Sequence, residues 1–333
     1  MSKNVLITGA AGFLGSHLAL NHLAQGHRVL GVDNCSSSKE NSRHLRLIHE
    51  LYSPDNWKFF KADINNVMAL NAATEVFLGS KKNKIDLVYN FACPASPPVY
   101  QSMPIETLLT CTQGTANVLN LAKKNNSIVV HASTSEVYGD PQISPQVEGY
   151  RGYVNSYGPR SCYDEGKRAA EALCYDYLNT RDLDVRLVRI FNTYGPHMDP
   201  DDGRVISNFI TQALKGQPIT IYGDGTQTRS FCYVDDTIDA ITRMSKLENN
   251  PRTPINCGNP QEYKIIELVD IILKILNKEQ TSINKVLPID DPLQRKPDIT
   301  LANQILEWNP KISLEEGIAR TIDWFQGEMG FTN

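Results

Sequence analysis

The chain has no apolar run long enough to cross a bilayer, no run of more than two basic residues and no Cys-x-x-Cys pair. Each lack narrows what it can be. A membrane-spanning helix needs about 20 consecutive apolar residues, so none is expected. Lys and Arg are spread evenly and the formal net charge is -4, which leaves no electrostatic footprint for nucleic acid or a membrane surface. The seven cysteines, an odd number scattered through apolar segments, read as reduced and mostly buried thiols, as in a reducing cytoplasm. The seven histidines show no ligand-like grouping, so no metal is expected. His131, near a strand end, reads as a satisfied core residue. Met1-Ser2-Lys3-Asn4 runs straight into an apolar strand, with no room for a secretory leader.

What is present is 333 residues with 41% hydrophobic content, enough for one large core and a smaller second lobe. Short apolar runs such as Val5-Leu6-Ile7-Thr8, Val29-Leu30-Gly31-Val32, Leu87-Val88-Tyr89-Asn90 and Ile128-Val129-Val130-His131 alternate with segments of helical period. That rhythm predicts an α/β fold of the Rossmann type, a doubly wound parallel sheet covered on both faces. After Gly195-Pro196, prolines and glycines break the pattern into shorter elements. We therefore divide the chain into a first domain, 1–195, and a smaller C-terminal substrate-binding lobe, 196–333, some of whose elements return to the first domain. Residues 105–124 and 163–179 are long amphipathic segments. They either cover the sheet or pair across a two-fold axis as the four-helix interface of a homodimer. Lys81-Lys82 and Lys123-Lys124 read as solvated helix termini.

Gly9-Ala10-Ala11-Gly12-Phe13-Leu14-Gly15 follows the first predicted strand and opens the first helix. Glycines in this place let the backbone pass close to a pyrophosphate, which rests on the positive helix end. Asp33, closing the second strand before Asn34, places a carboxylate where an adenosine ribose presents its hydroxyls. The same charge repels a ribose phosphate, so NAD is favoured over NADP. Asp63 and Ile64, after the next strand, can flank the adenine.

Tyr163 and Lys167 are four residues apart and share one helix face. A free tyrosine, with a pKa of about 10, is a poor base, but a nearby cation and an oxidised nicotinamide would pull it toward neutrality. Thr134 ends a predicted strand of the sheet, where the carboxyl ends of parallel strands gather ligands, and its hydroxyl can share the same substrate oxygen. A Tyr-x-x-x-Lys spacing alone also fits an exposed helix face; the threonine tips the reading toward an oxidoreductase acting on an alcohol.

Long stretches then carry a resemblance: Ala92-Cys-Pro-Ala-Ser96-Pro-Pro98, Ala132-Ser-Thr134-Ser135-Glu136-Val-Tyr-Gly-Asp-Pro141, Gly158-Pro-Arg-Ser-Cys-Tyr163-Asp-Glu-Gly-Lys167-Arg168, Arg189-Ile-Phe-Asn192-Thr-Tyr-Gly-Pro196, Asp202-Gly-Arg204-Val205 and Asp290-Asp-Pro-Leu-Gln-Arg295-Lys-Pro-Asp298. From Val5 to about Phe325 the chain resembles the extended short-chain dehydrogenases/reductases, and among them the UDP-glucuronate decarboxylases. The resemblance implies NAD as cofactor and a UDP-sugar as substrate. It implies that Tyr163 takes the proton from the hydroxyl on sugar carbon 4, that Lys167 tunes it and grips the nicotinamide ribose, and that Ala92 lies against the cofactor. Ser96, Asn192, Arg204, Val205, Tyr222, Gln227, Arg229 and Arg295 match its UDP-sugar contacts. Arginines suit a diphosphate or carboxylate, although each taken alone equally fits a structural surface ion pair.

Oxidation at carbon 4 of a glucuronate puts a ketone beta to the carboxylate, and such an acid loses carbon dioxide readily. Thr134 and Tyr163 can then donate to the enolate oxygen. Ser135 stands where the related dehydratases carry an acid. Ser135 and Glu136 are assigned to orienting the ring and handling protons at carbon 5, with Arg229 or a raised Glu136 pKa offsetting the clash of two carboxylates. An epimerase or dehydratase on another nucleotide sugar is the nearest alternative, and a non-catalytic NAD-binding scaffold a remote one. Two departures stand out: Cys111 occupies a place usually held by asparagine, and residues 36–57 form a longer stretch than in the family.

Overall fold

A computed structural model describes residues 2–286 and 294–331; residues 290–293 of the Asp290 to Asp298 motif lie outside them. Thirteen strands are present among the described residues: β1 (Asn4–Thr8), β2 (Arg28–Asp33), β3 (Trp57–Lys61), β4 (Leu87–Asn90), β5 (Ile128–Thr134), β6 (Val185–Ile190), β7 (Thr193–Tyr194), β8 (Ile219–Tyr222), β9 (Thr228–Ser230), β10 (Cys232–Tyr233), β11 (Ile255–Cys257), β12 (Glu262–Lys264) and β13 (Ser282–Lys285). The helices are α1 (Phe13–Ala24), α2 (Arg43–Leu51), α3 (Val67–Leu78), α4 (Pro97–Ser102), α5 (Pro104–Leu109), α6 (Thr115–Asn125), α7 (Ser161–Thr180), α8 (Val205–Lys215), α9 (Val234–Lys246), α10 (Ile265–Leu276), α11 (Thr300–Leu306) and α12 (Leu314–Met329).

Seven strands form one parallel sheet in the order β11-β6-β5-β4-β1-β2-β3. Its central strands are apolar throughout because both faces are covered. Leu18 and Leu23 of α1 pack with Ile238 and Ile241 of α9 on one side, while Leu70 and Phe77 of α3 pack with Val118 and Leu119 of α6 on the other. The order reverses between β1 and β4, where Thr8 is in register with Asn90. At such a point the loops leaving the carboxyl ends diverge in opposite directions and open a crevice.

β11 lies well beyond residue 196 in sequence yet pairs with β6 in the main sheet. Three two-stranded ribbons, β10-β7, β12-β9 and β13-β8, sit with α8, α10 and α12 near the carboxyl end. Residues 36–57 hold α2, whose Leu45 and Ile48 reach the core. Residues 104–125 form one helical run interrupted by a π-helical turn at Thr110–Gly114. Lys123 and Lys124 end α6 as expected. Lys81 and Lys82 do not end a helix, because α3 stops at Leu78 with Gly79 in the left-handed conformation (φ +65°). His131 lies within β5 rather than at its end.

Candidate active site

At the crevice, Gly9 adopts φ +72° and its N–H bonds the Val32 carbonyl at 2.8 Å. A Cβ on Gly9 would stand 2.7 Å from the Phe91 carbonyl oxygen, and one on Gly15 would collide with the Gly9 carbonyl. The loops after β1 and β4 can approach only because these residues lack side chains. Gly12 precedes α1 without side-chain capping, so the first amides of the helix, those of Phe13 and Leu14 among them, face the cleft unspent. Asp33 ends β2 and accepts from the Ala11 amide (3.0 Å), the Cys35 amide (2.8 Å) and the Ser38 hydroxyl (3.1 Å). Burial raises its pKa while these donors oppose the rise. Asn34 donates to Asp63 at 3.0 Å, and Ile64 packs where a Cβ on Gly114 would clash. A glycine cradle, open helix amides and a fixed carboxylate fit the pyrophosphate and ribose of a dinucleotide.

Thr134 is the last residue of β5. Its Oγ1 accepts from the Glu136 amide at 3.2 Å, capping the 3₁₀ turn Ser135–Tyr138, and the same hydroxyl lies by the Tyr163 phenol, whose pKa it lowers. Lys167, one turn after Tyr163 on α7, has Nζ 5.8 Å from the Tyr163 ring centre and donates to the Ala132 carbonyl at 2.8 Å. Threonine, phenol and ammonium therefore converge. The expectation of a lowered Tyr163 pKa is not met by the protein alone: burial drives it well above the usual phenol value, and the Thr134 hydrogen bond only partly opposes this. The Tyr100 ring stacks on Tyr163 at 4.9 Å and 4°.

Glu136 corrects a further expectation. Burial disfavours its charge, yet Arg295 and Arg160 outweigh burial and hold its pKa below the ordinary value rather than above it. Arg295 grips both carboxylate oxygens, with Nη2 at 2.8 Å from Oε2, and Arg160 donates to Oε2 at 2.7 Å. Arg295 and Arg160 are thus the cations that hold the Glu136 charge, and Arg229 donates to the Thr228 carbonyl (2.9 Å) among its contacts. Arg160 is also 3.8 Å from Asp164, whose pKa burial and the nearby Glu136 charge push up to about 8.

On the lobe side, Arg204 pairs with Asp202, and Ser96 bonds the Asp202 carbonyl. Asn192 donates to the Ser230 carbonyl at 3.4 Å, and Gln227 folds back on the Tyr222 carbonyl at the end of β8. Arg295 is a buried partner rather than a surface ion pair, whereas the Arg204–Asp202 pair is part-buried at the cleft. Every candidate catalytic, cofactor-binding and substrate-binding residue named from the sequence, from Gly9 to Ala92, Val205 and Arg295, lines one cleft of about 700 Å³, within the ordinary range for a ligand pocket.

Sequence reasoning missed Tyr100 and Arg160, although Arg160 lay inside a quoted motif and Tyr100 two residues beyond another. It also missed a stack of histidines at the cleft wall: His17 and His197 have ring centres 4.1 Å apart, and His44 lies 5.0 Å from His197. Burial lowers all three, His17 to about 4 and His197 to about 2. They are neutral packing groups, and among the described residues no cluster of three or more His, Cys, Asp or Glu side chains could hold a metal. His131 bonds Asn90 at 3.1 Å through Nδ1, while Nε2 is buried without a partner, so its satisfaction is only half met.

A parallel sheet with a glycine turn at its reversal point and a Thr-Tyr-Lys set at the next strand end defines a dinucleotide-dependent enzyme of the extended short-chain dehydrogenase/reductase kind. The chain belongs to the NAD dependent epimerase/dehydratase family, whose model matches residues 5–258. It is 43% identical over 329 residues to UDP-glucuronic acid decarboxylase 1 of Xenopus tropicalis, covering 98% of this chain and 73% of the relative. It is 43% identical over 330 residues to UDP-glucuronic acid decarboxylase 5 of Arabidopsis thaliana, covering 99% and 91%. Among solved structures it resembles the UDP-glucuronic acid 4-epimerase of Bacillus cereus in complex with UDP-glucuronic acid and NAD, with a TM-score of 0.82, 28% identity and coverage of 97% and 99%.

Proposed function

We propose that this protein is an NAD-dependent UDP-glucuronate decarboxylase that produces UDP-xylose. The observation that carries this is the meeting, in one cleft, of the Thr134-Tyr163-Lys167 set with a Glu136 carboxylate clamped by two guanidinium groups. When bound, the dinucleotide would supply the acceptor, and afterwards the donor, of the two electrons exchanged at sugar carbon 4. Gly9, Gly12, Phe13, Leu14, Gly15, Asp33, Asn34, Asp63, Ile64 and Ala92 would hold it, together with Tyr163 and Lys167.

Because burial holds the Tyr163 phenol protonated even with Lys167 in place, it becomes a base only when further positive charge is brought against it, which an oxidised nicotinamide would supply. Tyr163 then takes the proton of the 4-hydroxyl while the Thr134 hydroxyl shares that oxygen. The ketone formed lies beta to the sugar carboxylate, and the carbon–carbon bond breaks with its electrons flowing to the ketone oxygen. The Tyr163 and Thr134 hydroxyls donate to this enolate in a buried site, where such donors are most effective. Ser135 and Glu136 orient the ring and handle the proton returned at carbon 5. Arg295 and Arg229 balance the sugar carboxylate and diphosphate, and Ser96, Asn192, Arg204, Val205, Tyr222 and Gln227 line the nucleotide path.

The lobe of residues 196–333 mainly carries the nucleotide-sugar contacts. The protein acts in the cytoplasm as a homodimer joined through α5, α6 and α7. Support for the dimer comes from Ile105 and Tyr175, which are more than half exposed on these helices, and from Leu109, which is just under half exposed; sedimentation at the mass of one chain at micromolar concentration would exclude it. Support for a reducing compartment comes from seven free thiols; among the described residues no helix is long and apolar enough to cross a membrane.

Incubation with UDP-glucuronate and NAD should release carbon dioxide and yield a nucleotide sugar one carbon shorter. An isomer of unchanged mass would instead identify an epimerase, and loss of water a dehydratase.

A further inference from the structure

Cys93 and Cys111 come from different elements. Cys93 lies in the loop after β4, one residue past Ala92 and three before Ser96. Cys111 lies in the π-helical turn between α5 and α6. Their sulfurs are 3.2 Å apart. Cys93 lines the cleft and also donates to the Pro94 carbonyl at 3.3 Å, whereas Cys111 is buried. Nothing in the proposed chemistry uses either thiol. Two sulfurs at this separation need close by only about 1.1 Å to reach the bond length of a disulfide, which is about 2.05 Å. One of them is open to a small reactant from the cleft.

We propose that Cys93 and Cys111 are an oxidisable dithiol, a modification site that takes a peroxide as its reactant and closes to a disulfide that switches the active site off. The hydrogen bond between the two sulfurs raises the Cys93 thiol and lowers that of Cys111, so the pair loses its first proton as a unit. Cys93, the sulfur that the cleft reaches, then attacks one peroxide oxygen as the thiolate; the O–O bond breaks and the other oxygen leaves, protonated, as water. The Cys111 sulfur then displaces the oxygen on Cys93 as a second water and the S–S bond forms. The two sulfurs give up two electrons, and one peroxide is reduced to two waters.

Cys111 transmits the change because it packs directly on α7. A Cβ on Gly166 would lie only 3.1 Å from the Cys111 Cβ, and Gly166 sits between Tyr163 and Lys167. Drawing Cys111 toward Cys93 removes that support and pulls the loop from Ala92 to Ser96 inward. Well-packed interiors respond to shifts of this size by rearranging, so the Tyr163 phenol leaves its place beside Thr134. Cys162, in the first turn of α7 with its sulfur 3.7 Å from the Tyr100 carbonyl oxygen, is the competing partner that the test must separate.

The full chain, reduced and then exposed to hydrogen peroxide, should lose two hydrogens by intact mass. After alkylation of the remaining thiols, digestion should give a Cys93–Cys111 cross-linked peptide. Decarboxylation of UDP-glucuronate should fall at least tenfold and return on treatment with dithiothreitol. Cys111→Asn should keep turnover and resist peroxide; Cys93→Ser provides the same comparison if the first variant does not fold. Cross-links through Cys162, oxygenated Cys93 without a cross-link, or turnover unchanged in the cross-linked protein would each overturn the proposal. The mass and peptide readouts stand apart from the decarboxylase reading: a reduced protein without activity on UDP-glucuronate defeats that reading and leaves the cross-link to be judged by mass alone.

Discussion

Asp164 offers the sharpest check on the electrostatics of the site. Its carboxyl is buried one turn from Arg160 and near the charged Glu136, and is pushed up to about 8, against about 3.9 for a free aspartate. Two carboxyl groups cannot both ionise here at no cost, and Glu136, with two guanidinium partners, is the one that keeps its charge. The folded state therefore holds a proton on Asp164 that the unfolded chain has released. Such a group stabilises the fold fully below the unfolded pKa, and the contribution is lost as pH rises toward the folded one. Over the interval from pH 6 to pH 8, at about 1.4 kcal/mol per unit, the loss is about 2 kcal/mol. Asp164→Asn supplies a permanently neutral side chain of the same shape and should abolish this component. Urea unfolding followed by circular dichroism at both pH values measures it. The parent should lose about 2 kcal/mol more than the variant between pH 6 and 8; parallel losses would refute the assignment of the proton to Asp164.

Three further outcomes are expected. Tyr163→Phe should lower turnover by about 10²- to 10⁴-fold, the usual worth of a positioned base, while dinucleotide binding measured by fluorescence persists; retained turnover would remove Tyr163 as the base. Arg295→Met leaves buried Glu136 with Arg160 alone and should cost about 3 kcal/mol of stability in the same urea assay, near the lower bound for breaking a buried pair, and an unchanged midpoint would mean that Arg160 suffices. Asp33→Asn should raise affinity for NADP relative to NAD in calorimetric titrations, because the carboxylate that repels a 2′-phosphate is gone; an unaltered ratio would show that another group sets the preference.

Local patterns in the chain were enough for the sheet and the cradle. Val5-Leu6-Ile7 and Val129-Val130 belong to short β-branched runs that alternate with segments of helical period, which marks them as buried strands. A glycine turn between such a strand and a helix, followed by Asp33 at the next strand end, is a short-range arrangement that needs no distant contact to be recognised. Thr134, Tyr163 and Lys167 were legible for the same reason, since a strand end and a four-residue helical spacing place them. Charge partners were not. Glu136 looked like a carboxylate in want of a raised pKa, and only folding brings Arg295, 159 residues away, onto both its oxygens. Tyr100 stacks on Tyr163 through packing of α4 on α7, and no periodicity carries that.

Backbone propensity and side-chain period act over a few residues and can be read along the chain. Burial, ion pairing and pKa depend on which segments meet in space. Strands, helices, glycine turn and the Thr-Tyr-Lys set thus belong to the linear pattern. The neutral stack of His17, His44 and His197, the proton on Asp164, the clamp on Glu136 and the near-contact of Cys93 with Cys111 arise only when the tertiary fold excludes water from groups far apart in sequence, so that their neighbours rather than solvent set their charge and reach.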